Sequence, residues 1–151
     1  MTPVVLAALA AFLAAPALAA GPCDDPGPVK GVLVLHTPRD AAVATGKSAI
    51  IRIEGPADER AVWPADVLRK LRPAPGSVIG EIKVEKGSLA GWKAPGVLFV
   101  KVDLSEATLG GSDFSGACFD HSVLNKADFA NARLRGTRFE GSELVGVRFD
   151  G

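Results

Sequence analysis

The sequence has no tyrosine and only two tryptophans, and its aromatics, seven of them phenylalanine, make up 6% of the chain. So few polar-edged rings exclude an extended platform on which nucleic-acid bases stack. An excess of either charge is also lacking: 17 Lys and Arg face 17 Asp and Glu, for a formal net charge of zero. That balance removes any global attraction to nucleic acid or to an anionic membrane. Histidine and cysteine occur twice each. No Ser-His-Asp order, paired-carboxylate motif or glycine-rich phosphate cradle is legible, so no catalytic residue, cofactor or metal site is assigned and the protein reads as a non-enzyme. Thr45-Gly46-Lys47-Ser48 resembles the end of a phosphate-binding loop, but Ala41 stands where its first glycine belongs. A turn between strands is the expectation there.

At 151 residues the chain makes one domain, or one domain with a small appendage. Pro3 to Ala20 carries no charged side chain, and Ala17-Leu18-Ala19 puts small residues where a signal peptidase reads. Residues 1–19 are therefore expected to be a signal peptide cleaved after Ala19. A membrane helix fits less well, because the run is barely long enough, is rich in Ala and has Pro16 near its end. The n-region lacks Lys and Arg, and Pro22 before Cys23 argues against a lipoprotein. The expected address is periplasmic or extracellular, in a bacterium of GC-rich genome, with no membrane association after cleavage. In an oxidising compartment the two cysteines, Cys23 and Cys118, are candidates for one disulfide; two unpaired thiols are the alternative.

A five-residue period dominates the last third. Leu or Phe recurs at Phe99, Leu104, Leu109, Phe114, Phe119, Leu124, Phe129, Leu134, Phe139, Leu144 and Phe149, and from Val97 onward the one other Leu or Phe is Leu98. Two residues before each stands a small or β-branched residue, from Val97 and Val102 to Ser142 and Val147. Two residues after, Gly is commonest: Gly111, Gly116, Gly136, Gly141, Gly146 and Gly151. Five matches neither the 3.6 of a helix nor the 2 of a simple strand. It suits a chain that turns a corner every five residues, with one large residue inward, a small one beside it and a Gly-prone turn. Four such sides close a coil of 20 residues, and coils stack at the interstrand spacing of about 4.8 Å.

Ala107-Thr108-Leu109, Ala127-Asp128-Phe129 and Ala132-Arg133-Leu134 resemble the A-(D/N)-L-x-x signature of pentapeptide repeat proteins. The resemblance covers 97–151. It implies an all-β fold, a right-handed quadrilateral β-helix. Residues 20 apart should then stack, giving a Phe99, Phe119, Phe139 column and a Leu104, Leu124, Leu144 column. Outside, Asp113 would lie by Arg133, Asp128 by Arg148 and Glu106 by Lys126, with Asp120 by Glu140 a like-charge step.

The beat extends backward with decay through Ile79, Val84, Leu89 and Ala94, whose small-site partners Ser77, Ile82, Gly87 and Trp92 fit poorly. Residues 77–96 thus read as a degenerate first coil, with Trp92 too large for its site. Residues 20–76 read as an N-terminal arm and capping region, irregular and β-rich. Within it Gly31–His36 and Ala49–Glu54 are β-rich runs, and Pro64 opens one short helix striped by Val67, Leu68 and Leu71. This part is expected to shield the open edge of the first coil.

The functional expectation is an exported protein-binding or structural scaffold whose protein partner is unknown. The C-terminal end, with Phe149 on its last side and no capping helix legible, is expected to be covered by a second copy in a homodimer or continued by a longer array. The resemblance carries an alternative, because some pentapeptide repeat proteins mimic duplex DNA and bind a DNA topoisomerase. Those are acidic cytosolic rods; here residues 102–151 hold 8 acidic and 5 basic residues behind an export signal. A further alternative is a metal- or thiol-handling protein. It would use Cys118 and His121, which flank inward Phe119 and are expected to face outward, although a metal needs three or four ligands.

Overall fold

The computed structural model describes residues 23–25, 27, 31–54, 61–84 and 86–151; the expected export segment, 1–19, lies outside them. In chain order the elements are β1 (Leu33–Leu35), a 3-10 helix (Pro38–Val43), β2 (Ser48–Ala49), β3 (Ile51–Glu54), β4 (Ala61–Trp63), α1 (Ala65–Lys70), β5 (Arg72–Pro73), β6 (Val78–Gly80), β7 (Ile82–Val84), β8 (Leu98–Val100), β9 (Cys118–Asp120) and β10 (Arg138–Glu140). Among the described residues every strand pairing is parallel, and the largest sheet has the order β1-β3-β6-β8-β9-β10. Parallel neighbours need a crossover between them. Here each crossover is the rest of a coil, so the fold is a β-helix.

The 20-residue repeat is met in the register. Ile79, Phe99, Phe119 and Phe139 are successive partners in the large sheet. Three further ladders run beside it through Lys83–Asp103–Val123–Glu143, Ser88–Thr108–Asp128–Arg148 and Lys93–Asp113–Arg133. The coil therefore has four sides. At the corners the backbone is left-handed: Gly91, Gly96, Gly111, Gly116, Gly136, Gly141 and Gly146 have φ of 61–73°. Glu81, Lys101, Glu106, His121, Lys126 and Asn131 occupy the same five-residue phase at 48–61°. A left-handed corner every five residues is the reason for the glycine register, since a Cβ costs about 1–2 kcal/mol there.

Inside, Phe99 lies parallel to Phe119 with centroids 4.6 Å apart, and Phe119 to Phe139 at 5.2 Å. Phe114 meets both Phe99 and Phe119 edge-on. Serines in the small register join one coil to the next. Ser112 Oγ donates to the Leu89 carbonyl and accepts from the Trp92 amide. Ser122 does the same with Phe99 and Val102.

Ser77 departs from expectation. It is wholly buried, accepts from the Ile51 amide and donates to the Ala74 carbonyl, so it serves in its site as Ser112 and Ser122 do in theirs. Trp92 is also inside, 1% exposed, edge-on to Phe99 and Phe114, with Nε1 donating to the Leu71 carbonyl at 3.0 Å. The irregular preceding coil leaves room for the indole above Leu71.

That preceding coil corrects the division of the chain. Residues 20–76 are not only an arm and cap, and 77–96 is not the first coil. Leu33 pairs with Ile51, 18 residues on, and Arg52 with Val78, 26 residues on, so the large sheet runs through this region. Leu35, Ile51, Ile53, Trp63, Leu68 and Leu71 are all but fully buried in the same core as Phe99 and Phe129. The 3-10 helix lies in the turn of 18, two residues short of the repeat, and α1 in the turn of 26, six residues longer than it. Helix α1 forms where Pro64 was expected to open it, with Leu68 and Leu71 inward. Thr45–Lys47 turns the chain into β2, with Gly46 at φ 74° and the Lys47 amide on the Ala44 carbonyl.

Two of the expected exterior pairs are ladder neighbours, Asp113 with Arg133 and Asp128 with Arg148, the latter ion-paired at 3.7 Å. Glu106 differs: it pairs with Lys86, one coil earlier, at 2.8 Å. Such exposed pairs contribute about 0–1 kcal/mol. The like-charge step of Asp120 on Glu140 is present, with His121 beside the first and Arg138 beside the second.

The core and the corners yield separate expectations. Phe119→Ala removes a fully buried ring stacked on both sides and should cost about 3–5 kcal/mol. Phe149→Ala, at a ring 48% exposed, should cost less than half of that. Urea midpoints of the two variants decide this, and equal losses would contradict the column. Lys101→Gly, at a left-handed corner, should stabilise by up to about 1 kcal/mol, after the extra freedom of the unfolded chain is deducted. A thermal melt reads the sign.

Candidate functional site

Alternation along the strands sends two columns to the outer face of the large sheet. One is Val34, Arg52, Val78, Leu98, Cys118 and Arg138; the other is Glu54, Gly80, Val100, Asp120 and Glu140. The middle of the first column is apolar, and an outward apolar strip should be wet. It is not: Val78, Leu98 and Cys118 are 5%, 3% and 0% exposed and form a small core of their own, against which Cys23 and Val100 pack.

The cover is Cys23–Asp25, with both end residues of this segment anchored to the β-helix. Cys23 is bonded to Cys118 across 95 residues of sequence, with Cα atoms 5.2 Å apart. Closing so long a loop is worth up to about 4–5 kcal/mol in a chain-entropy account. Two residues on, both carboxylate oxygens of Asp25 accept from the Arg52 guanidinium at 2.8 Å, and Oδ1 also accepts from the Gly27 amide. The Arg52 Nε donates to Glu54 at 2.5 Å. The bond from Arg52 holds the Asp25 carboxyl well below the usual range, at about 2, despite opposition from burial. Asp25, and secondly Glu54, push Arg52 further up.

Beside this strap lies a groove of about 370 Å³, lined by Asp25, Arg52, Ile53, Glu54, Val78, Gly80, Glu81 and Val100. Gly80 makes its depth. It takes an outward place between Glu54 and Val100 and puts no side chain there. A Cβ at Gly80 would stand 3.5 Å from the Ile53 carbonyl and 3.9 Å from that of Val100, in ordinary contact. The gap is therefore a matter of the residue present, not of crowding.

Of the residues singled out in the sequence, Cys23 and Cys118 are brought together. Cys118 faces out of the coil as expected but is covered. His121 is exposed, at a left-handed corner, with Nδ1 2.6 Å from Asp120 Oδ1 and its ring over Gly141. Among the described residues the one group of three metal-type ligands within 4.8 Å is Cys23, Cys118 and Glu140, so His121 does not join Cys118 in a site. Both sulfurs of that group are spent in the disulfide. His36 is a loop residue whose amide donates to Asp40 Oδ2. No motif marked Asp25, Arg52, Gly80 or Glu81. Their one signal is phase: Arg52 and Gly80 occupy outward positions of strands.

The strap predicts a pH response. Because the folded-state value of Asp25 is depressed, its contact contributes stability above about pH 4 and loses it as pH falls toward 2. The side chain is 45% exposed, so the contribution is about 1 kcal/mol or less. An NMR titration of the Asp25 carboxyl carbon should show a midpoint near 2, moving to about 4 in Arg52→Ala. A parent midpoint already at about 4 would mean that Arg52 does not hold the strap.

Residues 89–120 and 119–151 match the family model of pentapeptide repeats, in eight copies. No curated protein matches the chain. Among solved structures it is similar to a pentapeptide repeat protein from the cyanobacterium Cyanothece 51142, at 14% identity and a TM-score of 0.26, over 62% of this chain and 68% of that one. No helix among the described residues is long and apolar enough to cross a membrane. The matched stretch holds the phenylalanine and leucine columns and the left-handed corners described above, so residues 89–151 are an array of pentapeptide repeats.

Proposed function

We propose that this protein is an exported, non-enzymatic scaffold that binds a partner protein on the outer face of its six-stranded sheet. The observation that carries the reading is the strapped groove. A rigid parallel sheet presents an open depression of about 370 Å³, and a disulfide fixes one wall of it. Binding fits this site better than catalysis does. Asp25, Arg52 and Glu54 are hydrogen-bonded to one another and so are occupied in shaping the wall. Export is supported by the uncharged stretch from Pro3 to Ala20 and by a cysteine pair in bonding geometry, which suits an oxidising compartment. Against mimicry of duplex DNA stand the exterior ladders, where Asp113 meets Arg133 and Asp128 meets Arg148. A phosphate-like field needs one sign along the rod.

The test is expression of the full chain in a bacterium, with a photo-crosslinking residue at Val100 in the groove or at Thr108 on the opposite side of the coil. The expected result is a mature N-terminus at Ala20, no free thiol, and a discrete protein adduct from Val100 but not from Thr108. An intact Met1 with two free thiols would sink the export reading. Adducts that are equal at both positions, or missing at Val100, would sink the binding face.

A further inference from the structure

Resting on that reading, we infer that the groove beside Gly80 receives a long cationic side chain, arginine or lysine, from the partner protein. Two observations define the occupant. The floor is apolar where Gly80 leaves its space, between Val78 and Val100, and it matches the methylene stem of such a side chain. The rim carries three carboxylates, Asp25, Glu54 and Glu81, against one guanidinium, Arg52.

Arg52 does not invert that balance. Its Nε is given to Glu54 and its two terminal nitrogens to Asp25, so its charge is answered in place. An incoming carboxylate would meet acidic neighbours and have to compete for donors already engaged. Glu81 is the carboxylate left over. It stands at a left-handed corner, φ 55°, where its amide is tied to the Val100 carbonyl at 2.9 Å, and it joins no ion pair among the described residues. Counted formally, the rim is two negative charges in excess, above an apolar floor. An amphipathic cation fits both parts at once. An apolar side chain would leave Glu81 unanswered, and an acidic one would be repelled.

The probe is a set of blocked tripeptides, acetyl-Gly-X-Gly-amide with X as Arg, Lys, norleucine or Glu, together with spermidine. Each is titrated into the oxidised chain 20–151 and followed by amide NMR shifts of Val78, Gly80, Glu81 and Val100. The Arg and Lys peptides should shift these four amides and weaken as salt is raised. Glu81→Gln should weaken them about two- to fivefold. Gly80→Val fills the floor, with its Cβ in ordinary contact with the Ile53 and Val100 carbonyls, and should abolish the shifts. Should that variant unfold, Glu81→Gln alone decides.

Equal response to norleucine, a response to Glu, or no response at all would overturn the inference. Spermidine acting as well as the Arg peptide would replace a protein side chain by a free polyamine. Failure here is separable from failure of the scaffold reading. If the Val100 adduct persists unchanged in Gly80→Val and Glu81→Gln, the face binds a partner but not through a cation.

Discussion

Along its sides a coil of this protein forms its ladder hydrogen bonds with the coils before and after it. The Asp103 amide reaches back to the Ile82 carbonyl, and the Leu104 amide reaches forward to that of Val123. Within a coil the bonds are short corner closures, such as Ala107 to Leu104. The ladder therefore requires equivalent residues to lie one interstrand spacing apart, and it imposes that spacing on the side chains. Phe99, Phe119 and Phe139 stack at 4.6 and 5.2 Å because their backbones allow little else. A side that is one residue too long would throw both the column and the ladder out of step. The glycine phase is the local device that prevents this, since it lets the chain turn left-handed at the same point each time.

The same ladder builds the binding face. Holding a strand flat against its neighbours sends alternate residues outward in straight columns, so an outer face is as ordered as the interior. On three sides those columns are charged or polar for much of their length. On the fourth, Val78, Leu98 and Cys118 form an apolar strip that would be exposed without its strap. A disulfide and a bidentate ion pair are among the contacts that hold the strap there. They differ in kind. The disulfide contributes independently of pH, whereas Asp25 contributes only while ionised. The groove is what remains uncovered next to the strap, with Gly80 as its floor.

How much of this was legible can be judged residue by residue. The inward column from Phe99 to Phe149, the corner glycines, the ladder partners Asp113 with Arg133, and the short helix after Pro64 were all readable. Each depends on near neighbours or on a strict period. Ser77 and Trp92 depart from the expectation, Trp92 because it is buried despite its size and Ser77 because it fills the small site just as Ser112 and Ser122 do. In the folded chain Ser77 is kept for hydrogen bonds to two backbone groups, and Trp92 is admitted by an irregular coil next to it. The two N-terminal coils leave no periodic signal in the sequence, since their offsets of 18 and 26 residues carry no common period.

The sequence by itself determined the repeat, because a five-residue beat of large, small and glycine positions leaves the chain one economical way to bury its apolar side chains. It also determined which residues turn inward and which of them stack, since a constant coil length converts position directly into height. Only the tertiary structure decided that Cys23 reaches Cys118, that Asp25 closes on Arg52, and that the absent side chain of Gly80 lies at the foot of a groove. Those contacts join an aperiodic segment to a periodic one, and no spacing rule relates the two. Their geometry exists only once the coils have stacked and given the strap a surface to lie on.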